Sequence, residues 1–512
     1  MQCFILKTMM KKYPVGLQDF QKIRSENYVY IDKTSFVWQM ANWGGYYFLS
    51  RPRRFGKSLL VSTLDYLFQA KKELFTGLDI EDKWDWTKTN PIIKISFSNI
   101  GHKDLGLREA INKSLDATAK SYDITLETTY NAGKFKELIE TLSAKLGSVV
   151  VLIDEYDKPI IDYLGTDTQK AIENREVLKS FYSILKDADP FLKMVFITGV
   201  SKFARVSIFS DLNNLKDLSI DNNFESICGI NQEELEQNFV EELIEHDAEK
   251  IKKWYNGYSW GGGSSVYNPF SLLNFFAGDG GFKNYWFETG TPTFLINLAE
   301  KLNLYDFEKI KVAAIQLSAY DIEKLQIIPL MFQTGYLTIK HYDAEDNLYV
   351  LNYPNEEVRQ SYLGMLADAY THQDDPVIVL ATEIRNALKV FNLKKVESIF
   401  NTVFKSIPYE IWQKENEHYY HAIIHLTFRL LGIYVESQVQ TSDGRIDAIV
   451  QNKDYVYVFE FKLNGSAKDA LQQIKDKGYL VPYQNQNKIC IGIGINFSVE
   501  TKKVQEMLWE EM

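Results

Sequence analysis

Ser50-Arg-Pro-Arg-Arg-Phe-Gly-Lys-Ser58 joins an apolar run (Tyr46, Tyr47, Phe48, Leu49) to a helical one (Leu59, Leu60, Leu64, Leu67, Phe68). A Gly-Lys-Ser at a strand-to-helix junction is the working half of a phosphate-binding loop, because a helix N-terminus offers N–H groups and a positive dipole end. Gly56, Lys57 and Ser58 are therefore expected to bind ATP, with Lys57 reaching the β- and γ-phosphates and Ser58 ligating Mg²⁺. A glycine is expected at position 51, and Arg51 stands there. Arg51, Arg53 and Arg54 are open to three readings: charge near the phosphates, a partner surface, or a solvated basic turn.

The run Val149-Val-Val-Leu-Ile-Asp154-Glu155 has the form of a buried strand ending in acid. Asp154 is placed to hold Mg²⁺ through water or Ser58, and Glu155 to orient an attacking water for in-line displacement. Thr198, at the end of a later apolar run, is a candidate γ-phosphate sensor, with a local hydrogen bond as the plainer reading.

A second set of carboxylates lies near the C-terminus. Gly444-Arg-Ile-Asp447 and Glu460-Phe-Lys462 flank the polar turn Gln451-Asn-Lys-Asp454. With Gln451 facing Asp454 across two residues, antiparallel pairing sets Asp447 opposite Val458 and diagonal to Glu460. Asp447, Glu460 and Lys462 then share one face, where the carboxylates would hold Mg²⁺ and the lysine would orient or help deprotonate water. Charges in so apolar a strand (Val456, Val458, Phe459, Phe461) are costly unless they serve a purpose. Glu417 is a further candidate metal ligand; His421 and His425 lack the adjacent Glu of a zinc protease, and packing on a helix face explains them better. Lys468, Lys475, Lys477 and Lys488 lend this end local basicity.

Apolar runs alternating with helical patterns must position the first site. Strands are expected at 46–50, 92–97, 149–154 and 195–200, with helices around 58–70, 104–145 and 170–187, the pattern of a parallel sheet covered on both faces. Residues 221–370 read as a mostly helical lid or winged-helix-like region, with a strand pair at 335–340 and 348–353. From 371, helices precede strands at 433–440, 445–450, 455–462 and 488–495, with a helix near 466–479 between the last two. The domains are accordingly expected at 1–220, 221–370 and 371–512.

The bulk properties bound the partners. A length of 512 residues calls for several domains, and 45% hydrophobic content suits well-filled cores. The net charge of −11 means that nucleic acid must be met by a local basic patch against the global field. Cys3, Cys228 and Cys490 have no paired spacing, which excludes a disulfide framework and a cysteine zinc site and fits a cytoplasmic location. No apolar stretch approaches the ~18 residues of a membrane span, so no membrane partner is expected. Oligomerisation is left open.

Tyr13-Pro-Val-Gly16, Tyr30-Ile-Asp-Lys33, Ser50–Ser58 and Ile153-Asp-Glu-Tyr-Asp157 resemble the bacterial AAA-ATPase-like proteins, which typically end in a PD-(D/E)XK nuclease superfamily domain. Asp447, Glu460 and Lys462 match the Asp…Glu-x-Lys pattern, and Gln473 and Tyr479 match the following Gln-containing helix, a candidate nucleic-acid contact. The resemblance covers nearly the whole chain, and an arginine at 51 is normal for it. It implies a P-loop ATPase fold joined to a restriction-endonuclease-like α/β fold, with Mg²⁺-dependent hydrolysis of a phosphodiester in DNA or RNA. Competing readings are a nucleotide-dependent switch whose last domain only binds a partner, and a small-molecule phosphotransferase.

Overall fold

The computed structural model describes residues 12–201, 208–209, 212, 214–287, 293–318, 326–371, 376–405, 417–431, 436–442, 445–484, 487–498, 500–501 and 503–512. The chain forms two compact units, one of residues 1–290 and 308–357, the other of 291–307 and 358–512. It is an α/β protein with a P-loop-like N-terminal domain.

The first unit is built on a five-stranded sheet of β1 (Gly45–Ser50), β2 (Ile92–Ser96), β3 (Val149–Asp154), β4 (Leu192–Gly199) and β5 (Leu215–Asp217), in the order β2-β3-β4-β1-β5. Every pairing is parallel. The all-apolar run Val149–Ile153 takes a central place in that sheet and is fully buried, as a strand covered on both faces requires. The long helical pattern at 104–145 is in fact three helices, His102–Leu105, Leu107–Ser121 and Asn131–Leu146. β5 lies outside the expected strands. A second, antiparallel sheet carries β6 (Ile310–Ala313), β7 (Thr338–Asp343) and β8 (Leu348–Asn352) in the order β6-β8-β7.

The second unit centres on β9 (Glu436–Ser442), β10 (Arg445–Gln451), β11 (Tyr455–Leu463), β12 (Ile489–Ser498) and β13 (Lys503–Glu511), in the order β13-β12-β11-β10-β9. Only β11 and β12 run parallel, and the helix Ala467–Lys477 makes their crossover. Ser466 caps it by accepting from the Asp469 N–H, and Ala467, Ala470, Leu471 and Ile474 form its buried stripe. The helix crosses β12 at Gly494, where a Cβ would overlap the Ala467 carbonyl oxygen and approach the Leu471 nitrogen to 2.9 Å. Gly494→Ala is therefore expected to destabilise this unit by about 1–3 kcal/mol or more, seen as a lower midpoint in urea; an unchanged midpoint would show that the helix can shift freely. No helix among the described residues is long and apolar enough to cross a membrane.

Candidate nucleotide and metal sites

The loop after β1 carries its special backbone angles at Arg54 (φ 71°) and Gly56 (φ 95°), and Arg51 is not among the residues with positive φ. Position 51 therefore has no conformational need for glycine. Its side chain is neither a phosphate contact nor a solvated turn, and the charge and surface readings of Arg51 are corrected together. Arg51 is 1% exposed. Its Nη1 donates to the Ser50 and Ser219 carbonyls at 2.9 and 2.8 Å, and Nη2 to the Phe224 carbonyl at 3.2 Å. The guanidinium lies 4.0 Å from the Trp260 ring centroid, a planar cation on an aromatic face. Burial pulls its pKa down to about 10, which leaves it charged at neutral pH.

Aromatic residues far along the chain hold the rest of the loop. Phe55 meets Tyr258 and Trp260 edge-on at 4.8 and 5.5 Å, and the Trp286 Nε1–H donates to the Arg53 carbonyl at 3.0 Å. Loss of Arg51 would take a donor from three buried carbonyl groups, of which that of Phe224 keeps the Ile227 N–H. Arg51→Ala is thus expected to cost about 2–4 kcal/mol of stability, with little rescue by lysine, whose point charge cannot reproduce the fork. Arg53→Ala should leave the melting temperature nearly unchanged. Equal melting temperatures for the Arg51 and Arg53 variants would sink this structural role.

Gly56 caps the helix Lys57–Phe68 with no side-chain hydrogen bond, so its first N–H groups remain open to a ligand. Arg53, Arg54, Gly56, Lys57, Ser58 and Glu155 all line one cavity of about 470 Å³. Pro14, Gly16, Leu17 and Gln18 form part of its wall, and Asp157 and Lys158 another. Lys57 Nζ donates to the Arg51 and Pro52 carbonyls at 2.9 and 2.8 Å. Burial pushes its pKa down, and Asp154 is the strongest of the groups that oppose this. The Asp154 carboxyl is pushed up by burial, against a hydrogen bond from Ser58 and the Lys57 charge. Asp154 Oδ1 is buried without a hydrogen-bond partner.

Glu155 turns away from the strand in a left-handed conformation (φ 51°). Asp157 anchors the turn by accepting from the Ser201 N–H and hydroxyl at 2.7 and 2.6 Å. Thr198 is not brought to the cavity: fully buried, it donates to the Leu49 carbonyl at 2.7 Å, the plainer of its two readings. Nothing in a single sequence points to Pro14–Gln18 as a wall of this site, because only the fold brings that stretch to the loop.

In the second unit the strand register differs from the expected one. Asp447 pairs with Glu460 rather than Val458. The Asn452 side chain accepts from the Asp454 and Tyr455 N–H groups at 3.0 and 2.8 Å, and the Asn452 N–H donates to the Tyr455 carbonyl. This Asx turn makes Lys453-Asp454 the two-residue tip, one position later than expected. The slip is even in register, so positions 447, 460 and 462 still lie on one face of the sheet.

Glu460 is fully buried, and Lys462 Nζ lies 3.3 Å from its Oε1. Gln473, on the crossover helix, accepts from Lys462 at 2.5 Å, and its own Nε2 is buried without a hydrogen-bond partner. Tyr479 follows that helix and packs against the apolar cluster of Val456, Val458, Leu471 and Ile474. The side chains of Asp447, Glu417 and His421 lie outside the described residues. His425 is buried, with Nε2 3.7 Å from Asp306 Oδ2 and its ring edge-on to Tyr305.

Among the described residues no group of three or more His, Cys, Asp or Glu could hold a metal ion by itself. Mg²⁺ binds through one or two protein oxygens, keeps several waters and takes the rest from substrate phosphates. Asp154, with an unpartnered buried oxygen beside the Ser58 hydroxyl, fits that requirement. Glu460, with Asp447 at the opposing register position, supplies oxygen donors of the same hard type.

A family profile described as a predicted AAA-ATPase matches residues 14–209, and one for the PD-(D/E)XK nuclease superfamily matches residues 415–507. The chain is also 39% identical over 516 aligned positions to the "Uncharacterized protein in vnfD 5'region" of Azotobacter chroococcum mcd 1, covering 98% of this chain and 99% of that protein. This is an AAA-ATPase-like protein with a PD-(D/E)XK nuclease superfamily domain. No solved structure matches the chain. The AAA-ATPase-like stretch begins at Pro14, itself a wall of the cavity, and takes in the whole of the Ser50–Ser58 loop. The aromatic residues that clamp that loop, Tyr258, Trp260 and Trp286, lie beyond the stretch. The PD-(D/E)XK stretch contains Glu417, Asp447, Glu460, Lys462, Gln473 and Tyr479.

Proposed function

We propose that this AAA-ATPase-like protein binds and hydrolyses Mg-ATP, and that nucleotide state governs a metal-dependent phosphodiesterase in its PD-(D/E)XK domain that acts on DNA or RNA. One observation carries the reading: Lys57, Ser58 and Glu155 meet around a single cavity at an uncapped helix N-terminus, backed by the unpartnered Asp154 oxygen. Lys57 would exchange its two loop carbonyls for phosphate oxygens, and Arg54 would add charge at the rim. Ser58 and Asp154 would hold Mg²⁺, which when bound neutralises developing phosphate charge. Glu155 would hold a water on the open side of the cavity by accepting its hydrogen bond.

In the second unit Asp447 and Glu460 would hold the metal, with Glu417 a further candidate ligand. Lys462, steered by Gln473, would orient the attacking water. The helical region 221–370 would read the loop through Tyr258, Trp260 and Trp286, and Tyr479 would lie along the path of the nucleic acid. The net charge of −11 favours a second reading, a nucleotide-dependent switch whose last domain binds a protein partner without cutting nucleic acid. Mixed DNA and RNA incubated with the wild type and the Glu460→Ala variant, with Mg²⁺ or Mn²⁺ and with or without ATP, separates the two. Cleavage confined to the wild type supports the enzyme. Absence of cleavage under every condition, with ATP binding intact, supports the switch.

A further inference from the structure

Among the described residues, four basic side chains line the cavity: Arg53, Arg54 and Lys57 from the loop after β1, and Lys158 from the turn after β3. Lys57 and Arg54 serve the phosphates in the reading above, and Lys158 has no part in it. Its Nζ lies 3.3 Å from Asp162 Oδ1, one helical turn on. Asp162 has more basic neighbours than one carboxylate needs. Lys103 Nζ and His102 Nε2 face its other oxygen at 3.1 and 3.4 Å, so three basic groups surround an acid whose side chain is 9% exposed. Burial raises the Asp162 pKa, but His102, Lys103 and Lys158 between them hold it well below the usual carboxylate range. It therefore stays an anion, and without Lys158 it would still have Lys103 and the His102 ring. The backbone of the turn is fixed: the Tyr156 N–H donates to the Thr198 carbonyl at 3.1 Å, the Lys158 N–H to the Glu155 carbonyl at 3.0 Å, and Asp157 accepts from Ser201. Only the long Lys158 side chain, 28% exposed, is free to change partner.

We propose that Lys158 is a catalytic residue of ATP hydrolysis: Asp162 holds it beside the cavity until nucleotide binds, and its ammonium then moves to the γ-phosphate. The inference rests on the nucleotide reading above and adds a residue to it. In the reaction the oxygen of water bonds to the γ-phosphorus, and the bond to the β–γ bridging oxygen breaks with its electron pair staying on ADP. The proton of the water passes to Glu155 and on to solvent, leaving ADP and orthophosphate. Lys158 forms no covalent bond. Its charge meets the negative charge that spreads over the γ-phosphoryl oxygens in the transition state. Glu155 and Lys158 stand on one fixed turn, so the charge and the carboxylate that holds the water keep a constant relation. The exchange is easy because a partly exposed ion pair contributes little, and the γ-phosphate carries more negative charge than the Asp162 carboxylate.

Phosphate release and calorimetric titration with Mg-ATP and Mg-ADP test this in the wild type and in Lys57→Ala, Lys103→Ala, Lys158→Ala and Lys158→Met. Both Lys158 variants are expected to lower kcat by about a hundredfold or more. Their ATP affinity should fall by about tenfold while ADP affinity stays unchanged, because only ATP carries the γ-phosphate. Lys103 belongs to the same ion cluster but not to the cavity wall, so Lys103→Ala should keep wild-type turnover and affinities. Wild-type turnover in the Lys158 variants, or an equal loss in Lys103→Ala, would overturn the catalytic role and leave a structural ion pair. Should Lys158→Ala fail to fold by circular dichroism, Lys158→Met, which keeps the aliphatic stem, decides. If the wild type binds ATP without turnover, its preference for ATP over ADP decides: the Lys158 variants should lose it, and an absent or retained preference would overturn the inference. A wild type that binds neither nucleotide, or unimpaired ATP binding in Lys57→Ala, would overturn the phosphate site and this inference with it.

Discussion

Lys57→Ala is expected to weaken Mg-ATP binding by about a hundredfold or more, the scale of removing one buried partner of a charged, hydrogen-bonded pair. The side chain is 6% exposed and is held by two carbonyls of its own loop. It therefore waits in the cavity at almost no entropic cost of ordering, and its charge acts where water screens it little. Alanine removes that charge and also leaves the Arg51 and Pro52 carbonyls without their donor, so a modest loss of stability should accompany the loss of binding. Lys57→Arg should not restore affinity, because a planar fork does not fit where a compact ammonium bridges two carbonyls. Equilibrium titration with ATP, set beside the melting temperature of each variant, checks both parts.

The second large effect is expected in the other unit. Glu460→Gln should abolish metal-dependent cleavage, by roughly a thousandfold or more, and should leave the protein as stable as the wild type or more so. The reason is the burial of Glu460: a carboxylate with no solvent exposure is costly even beside Lys462. A neutral isostere relieves that cost while losing the metal. Lys462→Ala should also end cleavage but should destabilise the unit, since it leaves the Glu460 charge buried without its ammonium. Cleavage rates and urea midpoints for the two variants separate loss of chemistry from loss of fold. A Glu460→Gln variant less stable than Lys462→Ala would show that the carboxylate is primarily structural.

Much of this architecture was legible in the residues. Val149–Ile153 is apolar on both faces, and only the centre of a covered parallel sheet accommodates such a run. The junction at Gly56-Lys57-Ser58 was legible because glycine, lysine and hydroxyl at a helix start answer one chemical need. Asp447, Glu460 and Lys462 could be assigned to one face despite the wrong turn, since an even register slip keeps the alternation of faces. The slip itself came from one side chain, Asn452, whose bonds to two successive N–H groups move the tip by a residue.

What was not legible depends on distant contacts. Arg51 looked like a misplaced glycine because its partners, Ser219, Phe224 and Trp260, are more than 160 positions away along the chain. β13 escaped notice because Lys503–Glu511 is a largely exposed edge strand, and its charges mask the period. Gly494 gave no signal of its own: its lack of a side chain matters only once a helix lies across it.

The central claim is that a nucleotide site at Lys57 governs phosphodiester cleavage at Glu460. The most direct test measures cleavage of mixed DNA and RNA with Mg²⁺, with and without ATP, by the wild type, Lys57→Ala and Glu460→Gln. The account predicts that ATP changes the wild-type rate, that Lys57→Ala responds to ATP no longer, and that Glu460→Gln binds ATP normally but cuts nothing. Cleavage by Glu460→Gln at the wild-type rate, or an undiminished ATP response in Lys57→Ala, would contradict it.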